Sequence, residues 1–450
     1  MKFLPNLINT FYFKSFDFQT SKSKAIFNYS FDDGTEFVEE IIFHNVATEI
    51  GNEKLRALNN CLKYLHLVLG ISYYKAAVPE KIVIENYSIS EDIANFFNSL
   101  YIKGLGEFAY NNKLNLNEKV RFPFSLKRNH LPSFINLPEC IAIPVGGGKD
   151  SIVTLDVMKS TNKSLMIFSL GDFDVTRKIA IKANLPYIFV ERRLSPTLFK
   201  INEKGAYNGH VPFSAILAFI LPIAAILYGF NIAVLSNERS ANVGNLVYNG
   251  IEVNHQYSKS FEFEKQISNF LKKYLLSNFN YFSFLRPLSD IGIAKLFSKL
   301  DYFHNTFISC NSAFKIQKNN QNQEWCLKCP KCRFTFLALS PFIEKKKLIS
   351  IFGSNLLNDK NQIIGFDELI GIKGHKPFEC VGELNESIAA FILLSRHSNW
   401  NKDLIVQRFI KFALPSISAP DDIVNSAFSF SEKHLLPNFF YKVLYAYFRS

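Results

Sequence analysis

Seven consecutive residues, Val145-Gly146-Gly147-Gly148-Lys149-Asp150-Ser151, hold the densest chemistry in the chain. Three glycines in a row let the backbone turn sharply with its N–H groups pointing one way. A helix beginning here adds the positive end of its dipole. Lys149 supplies a point charge and Ser151 a hydroxyl. Together they make an anion cradle suited to phosphate. The pattern is not a Walker loop, which needs Gly-Lys followed directly by Ser or Thr. Here Asp150 separates Lys149 from Ser151, and Ile143 stands where the upstream glycine belongs. The glycine spacing of dinucleotide-binding folds is absent too.

Cysteines form a second constellation. Cys310, Cys326, Cys329 and Cys332 follow the spacing C-x15-C-x2-C-x2-C, the last three within Trp325–Arg333, WCLKCPKCR. Four thiolates so spaced suit a closed tetrahedral zinc site of structural role, with an iron–sulfur cluster as the alternative. Lys328, Lys331 and Arg333 would offset its negative charge. Cys61 and Cys140 sit in apolar runs and read as core residues.

A third group is polar. It comprises Ser236-Asn237-Glu238-Arg239-Ser240-Ala241-Asn242-Val243-Gly244-Asn245 and Val253-Asn254-His255-Gln256-Tyr257-Ser258-Lys259-Ser260-Phe261-Glu262. Its density of hydrogen-bonding groups marks Asn237, Glu238, Arg239, Ser240, Asn242, Asn245, Asn254, His255, Gln256, Tyr257, Ser258 and Lys259 as candidate substrate contacts. Candidates for moving protons are His210, His255, Cys380 and Glu383, because imidazoles and thiolates titrate near neutrality when tuned.

These groups must be held by something, and the hydropathy pattern says what. Cys140–Val145 reads as a strand, Asp150–Lys159 as a helix and Ser164–Leu170 as a strand. Asp174–Asn184 then reads as a helix with Asp174 as N-cap, Pro186–Val190 as a strand, Val211–Tyr228 as a helix and Asn231–Leu235 as a strand. Such alternation predicts a parallel sheet with crossover helices, which binds ligands beyond the carboxyl ends of its strands. Ahead of it, strand-like Thr10–Phe18, Ser23–Phe31 and Thr35–Phe43 and helical Glu53–Leu69 and Glu91–Ile102 suggest a separate α+β region. The Asp32-Asp33-Gly34 turn suggests a hairpin. The expected division is 1–135 as an α+β domain, 136–345 as an α/β domain with the cysteine site, and 346–450 as mainly helical. Loops are expected near Lys373–Lys376, Leu414–Asp422 and the exposed KNNQNQ at 318–323.

The 450-residue chain is 48% hydrophobic and 20% charged, as a folded globular protein should be. Its net charge of +12 favours anionic partners. No run of five basic residues occurs, so anionic metabolites fit at least as well as nucleic acid. Val211–Phe230 is long and uncharged, but Pro222 interrupts it and a strand-like run follows at once. A buried helix is therefore expected there instead of a membrane span. A cytoplasmic protein is the default, since the seven cysteines do not form a secreted framework and no signal peptide pattern begins the chain.

The strand–GGGKDS–helix arrangement resembles the PP-loop ATP pyrophosphatases, usually written SGGxDS, with Gly146 in place of Ser. That resemblance implies an adenine nucleotide α-hydrolase-like fold in which Gly146, Gly147, Gly148, Lys149, Asp150 and Ser151 hold pyrophosphate. Adenine then lies near Ser169 and Asp172; Asp172 would touch ribose or help place Mg²⁺, or else cap the next helix. PVGGGKDS, SNERSANVGN, VNHQYSKSFEFE, CPKCRF and HKPFECVGE, in that order, resemble the UDP-N-acetylmuramoyl-L-alanyl-L-glutamate epimerases over roughly residues 140 to 390. The resemblance implies ATP-dependent inversion of a terminal L-Glu to D-Glu in peptidoglycan precursor synthesis, with release of AMP and diphosphate. Lys149, Asp150, His210, His255 and Cys380 are then the candidate catalytic residues. ATP, Mg²⁺ and structural Zn²⁺ are the expected cofactors and an anionic UDP-muramoyl dipeptide the partner. Two other classes compete: a PP-loop enzyme modifying a base, as in tRNA thiolation or 7-cyano-7-deazaguanine synthesis, and a non-catalytic adenine-nucleotide-binding protein.

Overall fold

Burial alternates along Glu36–Phe43 (β3), where Phe37, Glu39, Ile41 and Phe43 point inward. This period of two makes the segment a strand with one face on a core. Thr10–Gln19 (β1) and Lys24–Phe31 (β2) complete an antiparallel meander with it. Lys81–Ile84 (β4) runs parallel to β1 at the outer edge. The computed structural model describes residues 2–46, 49–126, 131–314, 324–374 and 376–450. The KNNQNQ stretch and His375 lie outside the described residues.

Ile141–Pro144 (β5), Leu165–Leu170 (β6), Tyr187–Arg193 (β7), Ile232–Leu235 (β8) and, after a small hairpin, Asn280–Ser283 (β11) pair in parallel. The hairpin is Leu246–Tyr248 (β9) and Ile251–Val253 (β10). Asn249 and Gly250, both at positive φ, form its two-residue turn.

All strands but the hairpin belong to one nine-stranded sheet, β11-β8-β5-β6-β7-β3-β2-β1-β4. The N-terminal region is therefore not a separate layer. β3 pairs antiparallel with β7, Ile41 opposite Arg192, and continues the parallel sheet across the expected boundary at 135. Polar chemistry reinforces that seam. Buried Glu39 accepts from Arg192 Nε at 2.6 Å, and Arg192 Nη2 donates to Ser72 Oγ at 2.8 Å.

The pleat sends alternate residues to two cores. Ile141, Ile143, Ile232 and Val234 join helices Lys149–Lys159, Asp174–Ala183 and Asp290–Ser298. Ala142, Ala233 and Leu235 join helix Phe213–Tyr228 and helix Asn52–Leu69, which pack on each other. Phe213–Tyr228 is apolar on every side because it is wrapped by protein. Among the described residues no helix is long and apolar enough to cross a membrane. The helices from Lys345–Phe352 to Asn438–Arg449 share the second core, with Trp400 fully buried in it.

One cap expectation is corrected. Asp174 is the first helical residue, the cap position is Phe173, and Asp174 pairs with Arg177 at 3.4 Å.

Candidate active site

β5 ends at Pro144, and Gly146–Gly148 turn the chain into helix Lys149–Lys159. Gly147 sits at φ +92, where an added Cβ would lie 2.8 Å from Val175. Only glycine suits that position. Gly146 is different, because a Cβ there would meet nothing within 4 Å. Ile308 N–H donates to Gly147 O at 2.9 Å, and Ser151 Oγ donates to Gly148 O at 3.0 Å.

Lys149 is buried and bonds Asp150 at 2.5 Å and also Asp290. Burial works against its charge, but the two carboxylates outweigh it and keep the ammonium protonated. Asp290 begins helix Asp290–Ser298 and was missed in the sequence, as was Glu386. Glu386 accepts from Asp290 N–H at 3.0 Å and from the Ser240 hydroxyl. Burial first, then repulsion from Asp290, pushes its carboxyl up to about 8. Glu238 is likewise pushed up to about 7 by burial and by Asp290 and Asp150.

A cleft of about 1870 Å³ lies at the carboxyl ends of β5, β6 and β8, where strand order reverses. Gly146, Gly148, Asp150, Ser151, Ser169 and Asp172 line it, as do Asn237, Glu238, Lys259 and Lys331. Asp172 is engaged by Arg177 Nε at 2.9 Å and by the Tyr187 hydroxyl at 3.3 Å.

His210, His255 and Cys380 converge although they are far apart in sequence. The two imidazole centroids lie 4.4 Å apart. His255 Nδ1 bonds Glu107, and Glu107 also lies 3.8 Å from His210 Nδ1. Lys259 Nζ donates to Cys380 Sγ at 3.3 Å. None of the three lines the cleft, but Lys259, which bonds Cys380, and Gly209, which precedes His210, do. The cluster's electrostatics separate three states. Burial, then His255 and Lys259, push His210 down to about 3, so it is neutral. Burial also opposes the His255 cation, but hydrogen bonds to Cys380 and Glu107 raise it to about 9. Burial alone would raise Cys380, yet Lys259, Lys331 and His255 hold the thiol well below its usual range. A neutral imidazole, an imidazolium and a thiolate therefore coexist near neutral pH, the separation that acid–base chemistry needs. Glu383, the other candidate, is the N-cap position of helix Leu384–Ser395.

The remaining polar residues build the wall more than they face the cleft. Arg239 reaches outward to the carbonyls of Ser426 and Ser429 at 3.1 Å. Asn242 accepts from Phe261 N–H at 2.7 Å, and Asn254 donates to Ala241 O at 2.9 Å. Asn245 accepts from His255 N–H at 3.0 Å and donates to Pro377 O at 2.9 Å. Tyr257 donates to Gln266 at 3.2 Å, and Ser258 is buried. Gln256 is buried with neither amide atom partnered among the described residues. Behind them Arg286, fully buried and missed in the sequence, donates to Glu264 at 2.7 and 2.9 Å, to Glu238 O at 2.6 Å and to Lys259 O at 2.5 Å. One guanidinium thus ties both polar segments to β11, whose Ser283 N–H bonds Glu264 at 2.9 Å.

Cys310, Cys326, Cys329 and Cys332 bring their sulfurs within 4.8 Å of one another. The Cys326, Cys329 and Cys332 N–H groups donate to Cys310, Cys326 and Cys329 Sγ, each at 3.4 Å. That donor set fits a tetrahedral thiophilic metal. Such a metal would brace the wall carrying Ser309, Asn311 and Lys331.

Comparisons with known proteins identify the family. The family model of the MurL N-terminal domain matches residues 2–284, and that of the MurL C-terminal domain matches residues 306–422. A protein of Xanthomonas oryzae pv. oryzae named UDP-N-acetyl-alpha-D-muramoyl-L-alanyl-L-glutamate epimerase is 38% identical over 96% of this chain and 95% of its own length. A Micromonospora protein of the same name is 36% identical over 97% of this chain and 98% of its own. The chain belongs to the MurL family of epimerases.

Proposed function

We propose that the protein inverts the terminal L-Glu of UDP-N-acetylmuramoyl-L-alanyl-L-glutamate to D-Glu after adenylating its α-carboxylate with ATP, in the cytoplasmic synthesis of peptidoglycan precursor. One observation carries this reading: Lys259 lines the cleft of the glycine-rich anion loop and also bonds the Cys380 thiolate.

An α-proton beside a free carboxylate is hard to remove, because a carbanion would add charge to an anion. Adenylation removes that charge. The carboxylate oxygen attacks the α-phosphorus, the bond to the bridging oxygen breaks, and pyrophosphate leaves into the cradle of Gly146–Ser151. Lys149 and the helix N-terminus offset its charge. Cys380 then takes the α-proton of the acyl adenylate, and the His255 imidazolium returns one to the opposite face. The substrate would replace the hydrogen bond between these two groups. Water cleaves the mixed anhydride, which releases AMP and the UDP-muramoyl dipeptide with its terminal glutamate now D.

Asp150 and Glu238, which line the cleft, would hold Mg²⁺ together with Asp290: burial first, then repulsion from Asp290 and Asp150, pushes Glu238 up, and a divalent cation would relieve that repulsion. It would neutralise the nucleotide phosphates. Zn²⁺ at the four cysteines would be structural.

The test incubates the protein with ATP, Mg²⁺ and the UDP-muramoyl dipeptide in D₂O. Substrate-dependent AMP with deuterated D-Glu is expected. AMP without inversion would redirect the search to another acceptor. No AMP would favour a nucleotide sensor or a base-modifying enzyme.

A further inference from the structure

Four cations of this cleft region, Lys149 and Arg286 buried and Arg192 and Lys259 partly so, face an anionic side chain: Lys149 faces Asp150 and Asp290, Arg192 faces Glu39, Arg286 faces Glu264, and Lys259 faces Cys380. Lys75 does not. It follows helix Ile71–Tyr74 and is only 4% exposed, yet it lines the cleft. Nζ donates to Asn208 Oδ1 at 2.9 Å and lies 6.0 Å from the centre of the Phe108 ring. Among the described residues it forms no ion pair. Burial with no compensating charge pulls its ammonium down to about 8. A buried cation without an anion is costly to keep, so the anion is expected from outside the chain.

The space for that anion exists. A pocket for one drug-sized ligand occupies roughly 300–1,000 Å³, and this cleft is larger at about 1870 Å³. It has room for a second molecule beside a nucleotide. Asn208 also stands two residues before His210, within about 7 Å along even an extended chain. Its carbonyl accepts from Asn112 at 3.2 Å and its side chain from Gly209 N–H at 2.9 Å, which fixes the amide.

We infer that Lys75, oriented by Asn208, forms an anion subsite that binds a carboxylate or phosphate group of the molecule being inverted. This rests on the proposed function. A glutamate centred at His210, His255 and Cys380 carries a second, unreacted carboxylate near its α-carbon. The UDP diphosphate is the other source of the same chemistry.

The experiment compares wild type with Lys75→Met on three substrates: the full UDP-muramoyl dipeptide, its side-chain amide (Gln for Glu), and the muramoyl dipeptide lacking UDP. On the full substrate Lys75→Met is expected to lower kcat/KM roughly 10- to 100-fold. The KM for ATP should not change. Melting temperature should hold or rise, because an uncompensated buried charge has gone. If the carboxylate is the ligand, the two proteins become equal on the amide. If the diphosphate is the ligand, they become equal on the substrate lacking UDP. Equal kcat/KM on the full substrate would overturn the inference. So would the same loss on all three substrates, or a lowered melting temperature.

Calorimetric titration of the full substrate without ATP separates the two failures. Wild type that binds it, but no more tightly than Lys75→Met, sinks the subsite alone. Wild type that neither binds nor turns it over sinks the proposed function and the subsite together.

Discussion

The glycine-rich loop and the cluster of His210, His255 and Cys380 are built in opposite ways. The loop is seven contiguous residues, Val145–Ser151, with its glycine conformation set locally. The cluster gathers Glu107, His210, His255, Lys259 and Cys380 from segments far apart in the chain. The difference follows from the chemistry. Cradling phosphate needs backbone N–H groups and a helix end, which a short stretch supplies. Separating the protonation states of two imidazoles and a thiol needs burial and counter-charges, which only distant elements supply. The loop should therefore fail mostly by direct injury, its distant ties being Asp290 to Lys149 and Ile308 to Gly147. The cluster should fail through its supports as well.

The largest expected effects separate the two halves. Lys149→Ala should abolish substrate-dependent AMP and pyrophosphate formation, by about 10²–10³-fold or more, read in a pyrophosphate-release assay. Intact pyrophosphate formation would remove the loop from the mechanism. Cys380→Ala should cut inversion roughly 10²–10⁴-fold while AMP release persists. Chiral analysis of the recovered glutamate decides it, and loss of both activities would merge the two regions.

Next comes a support. Removing one partner of a buried ion pair costs about 3–5 kcal/mol, so Arg286→Ala should lower unfolding stability by that order in denaturant titration. In the protein that remains folded, inversion should suffer more than AMP release, since Lys259, which bonds Cys380, hangs from that guanidinium. Equal losses would contradict the contrast.

A pH profile tests the tuning itself. His255 is held up to about 9, so its proton is bound below that pH and lost above it. Inversion should fall as pH rises through about 9. Glu107→Gln removes one of the groups that favour the cation, so the fall should move to lower pH. An unmoved alkaline limb would acquit His255 as the acid. The smallest effect is expected at Gly146→Ser, which has open space and should leave AMP release within about twofold. Gly147→Ala, strained at φ +92 and crowding Val175, should cost about 1–3 kcal/mol.

The same contrast explains what could be read beforehand. The strands β5, β6, β7 and β8 and their helices follow hydropathy that is local, and they stand within a few residues of expectation. The loop was legible for the same reason. Among the polar residues singled out, Asn237, Glu238 and Lys259 reach the cleft, while Asn242, Asn245 and Asn254 hold backbone. Sequence density cannot tell a contact from a brace. Glu107, Asp290, Glu386 and Arg286 carried no motif, because their meaning lies in partners more than twenty residues away. Asn249-Gly250 was a readable signal for the β9–β10 turn. Joining β3 to β7 was not readable, since strand partners at long range leave no periodic trace.

That join has a consequence for how the chain is made. β3 ends at Phe43, but its partner β7 begins only at Tyr187. At about 5–20 residues per second of synthesis, the N-terminal meander waits on the order of ten seconds with the edge of β3 bare. A bare strand edge pairs readily with other chains. The nascent protein cannot finish its first region before its second is translated, so ribosome-bound fragments ending before Tyr187 should be the ones that chaperones have to shelter.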